Sequence, residues 1–258
     1  MFSAEKPVCF RTISFIWRIT VSFKVPFATI TSTVPLLIIT THSLPVFAFI
    51  SDSHQWLNDL SDEVSDINRR PDIDFVIHGG DMTDFGGTKE FLWTRDRLKK
   101  LNKPFVALLG NHDCLGTGTK AYQVTFGNPD FAFIAGRVKF VCLNTNAIEY
   151  DYSQPVPNFD FIKAEWTNRA DEFDRSVVCM HAPPFTEQFN NNVAEPFNDY
   201  IHKLPQLMFC LDGHGHHIRI QDLYDDGTIF YMTASAKERK YYIFTITPDD
   251  YSYEIIDF

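Results

Sequence analysis

From Val46 onward the apolar and polar positions follow two alternating periods. Residues 46–51 form a run that is apolar up to Ser51 and read as a buried strand. Leu57, Leu60, Val64 and Ile67 share one face at helical spacing, which predicts a helix over 57–69. A second strand is expected at 74–78, a second helix at 88–101 and a third strand at 104–109. This β-α-β-α-β series predicts a parallel sheet with helices packed on it. After residues 122–126 the pattern changes. Runs at 131–135 and 138–143, joined through Gly136-Arg137, predict an antiparallel hairpin. Helical spacing returns around 161–173, and apolar strands are expected at 177–180 and 207–211. The C-terminal part reads as antiparallel, with strands at 218–224, 228–232, 241–247 and 251–256 and a turn at Asp225-Asp226-Gly227. No internal repeat or low-complexity tract interrupts the series.

The first 45 residues have a different character. They hold one acidic residue (Glu5), four basic ones (Lys6, Arg11, Arg18, Lys24) and no glycine, a net charge of +3 that leaves −13 for the rest. Residues 13–25 alternate apolar and polar side chains almost strictly, the pattern of a half-buried strand. Three accounts compete for residues 1–45: an edge strand added to the core, a targeting segment with the acid-poor, Ser/Thr/Arg-containing composition of transit peptides, or an extension the folded domain does not need. Arg18 and Lys24 interrupt any secretory signal, which favours a cytoplasmic protein, with an exported one as the alternative. No run approaches the ~18 apolar residues of a membrane span. The working division is therefore an N-terminal extension, 1–45, and one domain, 46–258, within the size range of single α/β domains.

The overall charge of −10 argues against a general nucleic-acid binder, which carries a basic footprint. The five cysteines are odd in number and contain no C-x-x-C pair. Cys142, Cys179 and Cys210 sit in apolar strand runs and are expected as buried thiols. Cys114 follows Gly110-Asn111-His112-Asp113 and carries no mark of a nucleophile.

The chemistry concentrates in five stretches, each after an expected strand: Asp52-Ser53-His54, Gly80-Asp81-Met82-Thr83-Asp84, Gly110-Asn111-His112-Asp113, His181, and Gly213-His214-Gly215-His216. They hold five of the nine histidines. Carboxylate, imidazole and amide groups are the donors that first-row divalent ions prefer, and loops beyond the carboxyl ends of parallel strands are where such sheets place their sites. Any one stretch alone reads more simply as a strand-ending turn or a solvent-facing histidine. Five in order do not.

The order D-x-H, G-D-x-x-D, G-N-H-D, H, G-H-x-H resembles the calcineurin-like metallophosphoesterase superfamily, from about Val46 to at least His216. The resemblance implies a four-layer α/β/β/α sandwich of two mixed sheets. It implies two divalent ions (manganese, iron or zinc) and hydrolysis of a small phosphorylated substrate by a hydroxide bridging them. Asp52, His54 and His216 would hold one ion, Asn111, His181 and His214 the other, and Asp81 would bridge. The spacing of His214-Gly215-His216 suggests an extended segment with both imidazoles on one side and Gly215 giving the backbone room to approach. His112 would face the substrate as phosphate binder or general acid, with Asp113 holding it and favouring its protonated form. Asp84 would support the ligands through hydrogen bonds. Purple acid phosphatases carry tyrosine at the Asp84 position, so a tyrosinate-bound ferric centre is not expected.

Only two expected ligands are carboxylates, so two M²⁺ ions would keep a net positive field for a phosphate. Monoester and diester hydrolysis share this core, and the loop 183–196, with Phe185, Phe189 and three asparagines, is the candidate substrate cover. A cyclic-nucleotide or other phosphodiesterase, or an exonuclease, is the alternative; the acidic balance speaks against the last. A non-catalytic binding scaffold should lack ligands, and none is missing.

Overall fold

The computed structural model describes residues 19–25, 28–34, 44–150 and 153–258. Strands β1 (Ile19–Val25) and β2 (Ala28–Val34) form an antiparallel pair in which Ile19 lies opposite Val34 and Phe23 opposite Ile30. Among the described residues they pair with no other strand. Residues 13–18 of the expected strand lie outside the described residues.

The rest builds two sheets. The chain runs β3 (Val46–Ile50), α1 (Leu57–Asn68), β4 (Phe75–His78), α2 (Thr88–Leu98), β5 (Phe105–Ala107), α3 (Gly118–Thr125), β6 (Phe131–Ala135) and β7 (Val138–Leu143). It continues with α4 (Phe159–Glu165), β8 (Arg175–Met180), α5 (Ala194–Ile201), β9 (Leu207–Asp212), β10 (Arg219–Asp222), β11 (Ile229–Met232), β12 (Lys240–Ile246) and β13 (Tyr251–Asp257). One sheet has the order β13-β12-β3-β4-β5, with β3, β4 and β5 parallel. The other has the order β10-β11-β9-β8-β7-β6, with β7, β8, β9 and β11 parallel and antiparallel strands at both edges.

Period-2 alternation makes the layers. Phe47 and Phe49 of β3, Phe75 of β4 and Phe244 of β12 face Phe140 of β7, Cys179 of β8 and Phe209 of β9 in a shared inner core. The rings of Phe47 and Phe140 meet edge to face at 5.2 Å across the two sheets, and Phe47 stacks on Phe75 at 5.2 Å. The alternate residues Ala48, Ile50 and Val76 pack outward on Leu60, Val64 and Ile67 of α1. Val141, Val178 and Met180 pack outward on Ile162 of α4 and on Phe197 and Ile201 of α5. Helix, sheet, sheet, helix is the four-layer sandwich the resemblance implies. Cys142, Cys179 and Cys210 are buried and unpaired.

Three helices depart from the sequence pattern, the first being α3, which lies where no helix is expected. The one expected at 161–173 begins earlier, at Phe159, because the Asn158 side chain accepts the Phe161 amide at 3.1 Å as a cap. It stops at Glu165. The buried Lys139 ammonium donates to the carbonyl of Glu165 at 2.9 Å and to that of Asn168, and Arg169 takes a left-handed φ of 57°. Helix α5 also lies where the sequence pattern predicts none. Its Pro196 suggests a loop, yet proline is tolerated in a first turn, where the missing N–H has no helical partner.

Candidate metal centre

All five motif stretches leave carboxyl ends of parallel strands: β3, β4 and β5 of one sheet, β8 and β9 of the other. The sandwich therefore brings the mouths of two parallel sheets together. The backbone there is strained. Asp52, His54, Asp81, His214 and His216 all have positive φ, between 40° and 70°. Left-handed non-glycine residues cost about 1–3 kcal/mol each and cluster at functional sites. The close approach leaves no room at Gly110: an added Cβ would lie 2.1 Å from the Asp81 amide nitrogen.

Two sets of donors converge. Asp52, His54, Asp81 and His216 form one, and Asp81, His181 and His214 form the other. In the first, His54 Nε2 lies 3.4 Å from Asp81 Oδ2 and 3.3 Å from His216 Nε2, and His216 Nε2 lies 3.4 Å from Asp52 Oδ1. In the second, His181 Nε2 lies 3.4 Å from the same Asp81 Oδ2 and 3.0 Å from Asn111 Oδ1, which is 3.1 Å from His214 Nδ1. Donors bound ~2.1 Å from a common ion lie about 3.0–3.4 Å from one another. Asp52 Oδ1 is buried without a hydrogen-bond partner, the condition a cation would relieve. The residues fit two ions.

Further groups fix the imidazole orientations. The Asp84 carboxylate lies 3.1 Å from His54 Nδ1, the Gly79 carbonyl 2.9 Å from His181 Nδ1, and Glu187 Oε1 2.9 Å from His214 Nε2. Each partner takes an N–H from one ring nitrogen and leaves the other for the centre. Glu187 lies in the 183–196 loop and has no signal in the sequence beyond an acid downstream of His181. His78 is buried. Its Nδ1 accepts the Gly80 amide at 3.3 Å, so Nε2 donates to Ser53 Oγ at 3.1 Å.

The electrostatics suit cations. Burial pushes the Asp52 and Asp81 carboxyls up, but surrounding histidines reverse this, so both are held below the usual range. Burial pushes His181 down, and Asp81 and then Asp52 lift it to about 10. Burial holds His54 and His214 low, in the neutral form that ligates. Burial pushes the Cys114 thiol up, which keeps it protonated.

Two expectations need correction. The Asp113 carboxylate makes no hydrogen bond to the His112 ring. Its buried carboxylate accepts the amides of Gly110, Met82 and Thr83 and the Thr83 hydroxyl, so it clamps the β4 and β5 loops together. Burial, reinforced by the Asp81 charge, raises it to about 7. The group that holds His112 is the Asp84 carbonyl, which accepts from His112 Nδ1 at 2.9 Å. His214-Gly215-His216 is not extended either. Both histidines sit in left-handed bends, and a Cβ at Gly215 would meet Met232 Sδ at 2.1 Å, so the glycine makes room for a core methionine rather than for the cluster.

Residues 45–218 match the family model of the calcineurin-like phosphoesterases. The chain belongs to that family. A 3',5'-cyclic-nucleotide phosphodiesterase of Nostoc sp. is 24% identical over 155 residues, and the match spans 57% of each chain. Among solved structures, a dimetal phosphatase from Danio rerio aligns with a TM-score of 0.64 at 12% identity, covering 83% of this chain and 97% of that one. Purple acid phosphatase PPD1 from yellow lupin aligns with a TM-score of 0.63 at 14% identity, over 89% of this chain and 55% of that one. These likenesses show the two-sheet fold. The calcineurin-like phosphoesterases are a hydrolase family that uses divalent metals, and this member brings together two groups of metal-type donors. No helix among the described residues is long and apolar enough to cross a membrane.

Proposed function

We propose that this chain hydrolyses phosphate esters at a pair of divalent ions held by Asp52, His54, Asp81 and His216 on one side and by Asp81, Asn111, His181 and His214 on the other. The observation that carries the reading is the position of Asp81 Oδ2, 3.4 Å from both His54 Nε2 and His181 Nε2, so that one oxygen serves two donor sets. Bound ions would supply Lewis acidity toward the phosphate and a nucleophile at neutral pH. The chain's own residues do the rest. Asp84 and Glu187 hold imidazole tautomers. Asp113 sets the spacing of the two loops that carry Asp81 and Asn111. His112, anchored through Nδ1, keeps Nε2 as the nitrogen able to bind a phosphate oxygen or protonate a leaving group.

The Nostoc relative supports a second reading within the same chemistry, cleavage of a phosphodiester such as a cyclic nucleotide. The acidic chain disfavours nucleic acid as substrate. The test is metal analysis with turnover. Purified protein loaded with Mn²⁺ or Zn²⁺ should hold about two ions per chain, and Asp81→Asn should lower both occupancies together. p-Nitrophenyl phosphate and bis(p-nitrophenyl) phosphate, assayed side by side with and without chelator, separate monoester from diester activity. Protein that holds no metal after loading, or that turns over neither ester, overturns the reading.

A further inference from the structure

A second cavity lies away from the metal centre, along the side of the sandwich where both sheets end in edge strands β5 and β6. Its volume is about 1200 Å³, above the ~300–1,000 Å³ of ordinary small-molecule clefts. Its walls are apolar: Leu92 of α2, Val106 of β5, Val124 of α3, and Phe131 and Ile134 of β6. Val124 is 77% exposed although it faces this apolar groove. Five cationic side chains line it, Arg95, Lys99, Lys103, Lys120 and Arg169, and no carboxylate among the described residues does. In a chain of net charge −10, that segregation is the opposite of the overall balance.

An apolar trough with a one-signed cationic lining is complementary to one chemistry. We infer that this groove binds a single-chain anionic amphiphile, a free long-chain carboxylate, with its tail along the Leu92–Val124–Phe131 wall and its head among the lysines. Apolar walls alone would accept any hydrophobe at about 25 cal/mol per Å² buried. The cations add preference for an anion by Coulomb attraction, stronger beside low-dielectric walls than in bulk water. Arg95 is engaged by Asp96 at 2.8 Å, Arg169 by Glu172 and Lys103 by the Ile73 carbonyl, so the head-group preference is assigned to Lys99 and Lys120. The basic segment 1–45 is a poorer occupant, since like charges would meet at the lining.

The test uses the full chain. Isothermal titration with oleate below its aggregation concentration should show one saturable site. Dodecyltrimethylammonium, an apolar tail on a cation, should bind at least tenfold more weakly than dodecanoate. Lys99→Glu with Lys120→Glu should weaken oleate about three- to tenfold, the scale of exposed charge interactions reversed in sign. Val124→Asp should weaken it about tenfold or more through the lost apolar contact. All three positions are exposed, and circular dichroism melts should match the unaltered chain. Metal content should not change, which separates this site from the centre proposed above. No saturable oleate binding overturns the inference, as does equal affinity for the cationic and anionic amphiphiles. Binding only to anionic vesicles would make the groove a membrane contact and would overturn it too, and so would binding only to an extended peptide along β5 or β6.

Discussion

Replacing Asp113 tests the difference between a residue that serves His112 and one that holds the site's loops together. The carboxylate takes four donors: the Gly110 amide at 3.0 Å, the Met82 amide at 3.0 Å, the Thr83 amide at 2.9 Å and the Thr83 hydroxyl at 2.9 Å. Asp113, Met82 and Thr83 are fully buried, so water does not replace the lost acceptor. At ~1 kcal/mol per unpaired buried donor, the low end of the range, Asp113→Ala costs about 4 kcal/mol. In a domain of this size each kcal/mol moves Tm by about 2–4 °C, which gives a fall of about 8–16 °C. Asp113→Asn keeps one acceptor oxygen and turns an NH₂ toward backbone amides, so an intermediate loss is expected. Met82 follows Asp81 and Gly110 precedes Asn111, so loosening the clamp should also lower metal retention. The assay is thermal unfolding of loaded and chelated protein, with metal analysis on the same samples. A melt within about 2 °C of the unaltered chain, with full metal and reduced turnover, would refute the clamp and restore a role through His112.

The sequence reveals the chemistry of the centre and the strand that delivers each group, because parallel strands announce themselves as short apolar runs and their carboxyl ends are where loops carry function. The strands expected at 46–51 and 138–143 correspond to β3 and β7 with shifts of no more than a residue. The missing information is of another kind. Whether Asp113 faces His112 or the amides of Met82 and Thr83 depends on a left-handed turn at Asp81, and outside glycine a positive φ leaves only a weak trace in residue type, an enrichment of Asp, Asn and His. Glu187 reaches His214 from 27 positions upstream, through a loop whose path no periodicity encodes. The end of α4 is set by Lys139, a buried cation in an apolar strand, which local helical spacing cannot register. Contacts that cross from one sheet's loops to the other's are therefore the part that needs the fold.

Three further outcomes follow from the same geometry. His112→Ala should retain both ions yet lose ~10²–10⁴-fold in kcat, with a smaller loss for aryl than for alkyl phosphates if Nε2 protonates the leaving oxygen; equal losses would leave only phosphate binding. A chain beginning at Ser43 should keep its metal, its turnover and a Tm within about 2 °C, because β1 and β2 pair only with each other among the described residues; aggregation of the short form would show that they cover the core. The last concerns His78, which burial pushes down from 6.5 to about 4. Its Nδ1 accepts the Gly80 amide, so a proton there would set one N–H against another. The unfolded chain takes up that proton near pH 6.5 and the folded chain only near pH 4, so stability from His78 is complete above pH 6.5 and is lost as pH falls toward 4. At 1.36 kcal/mol per pH unit the loss is about 3 kcal/mol. Other shifted groups, Asp113 among them with the opposite sign, are common to both proteins and cancel in the difference between the unaltered chain and His78→Gln. Urea unfolding of chelated protein between pH 4 and 7 should show that difference shrinking by about this amount as pH falls, and a difference independent of pH would refute the assignment of His78 as a buried neutral acceptor.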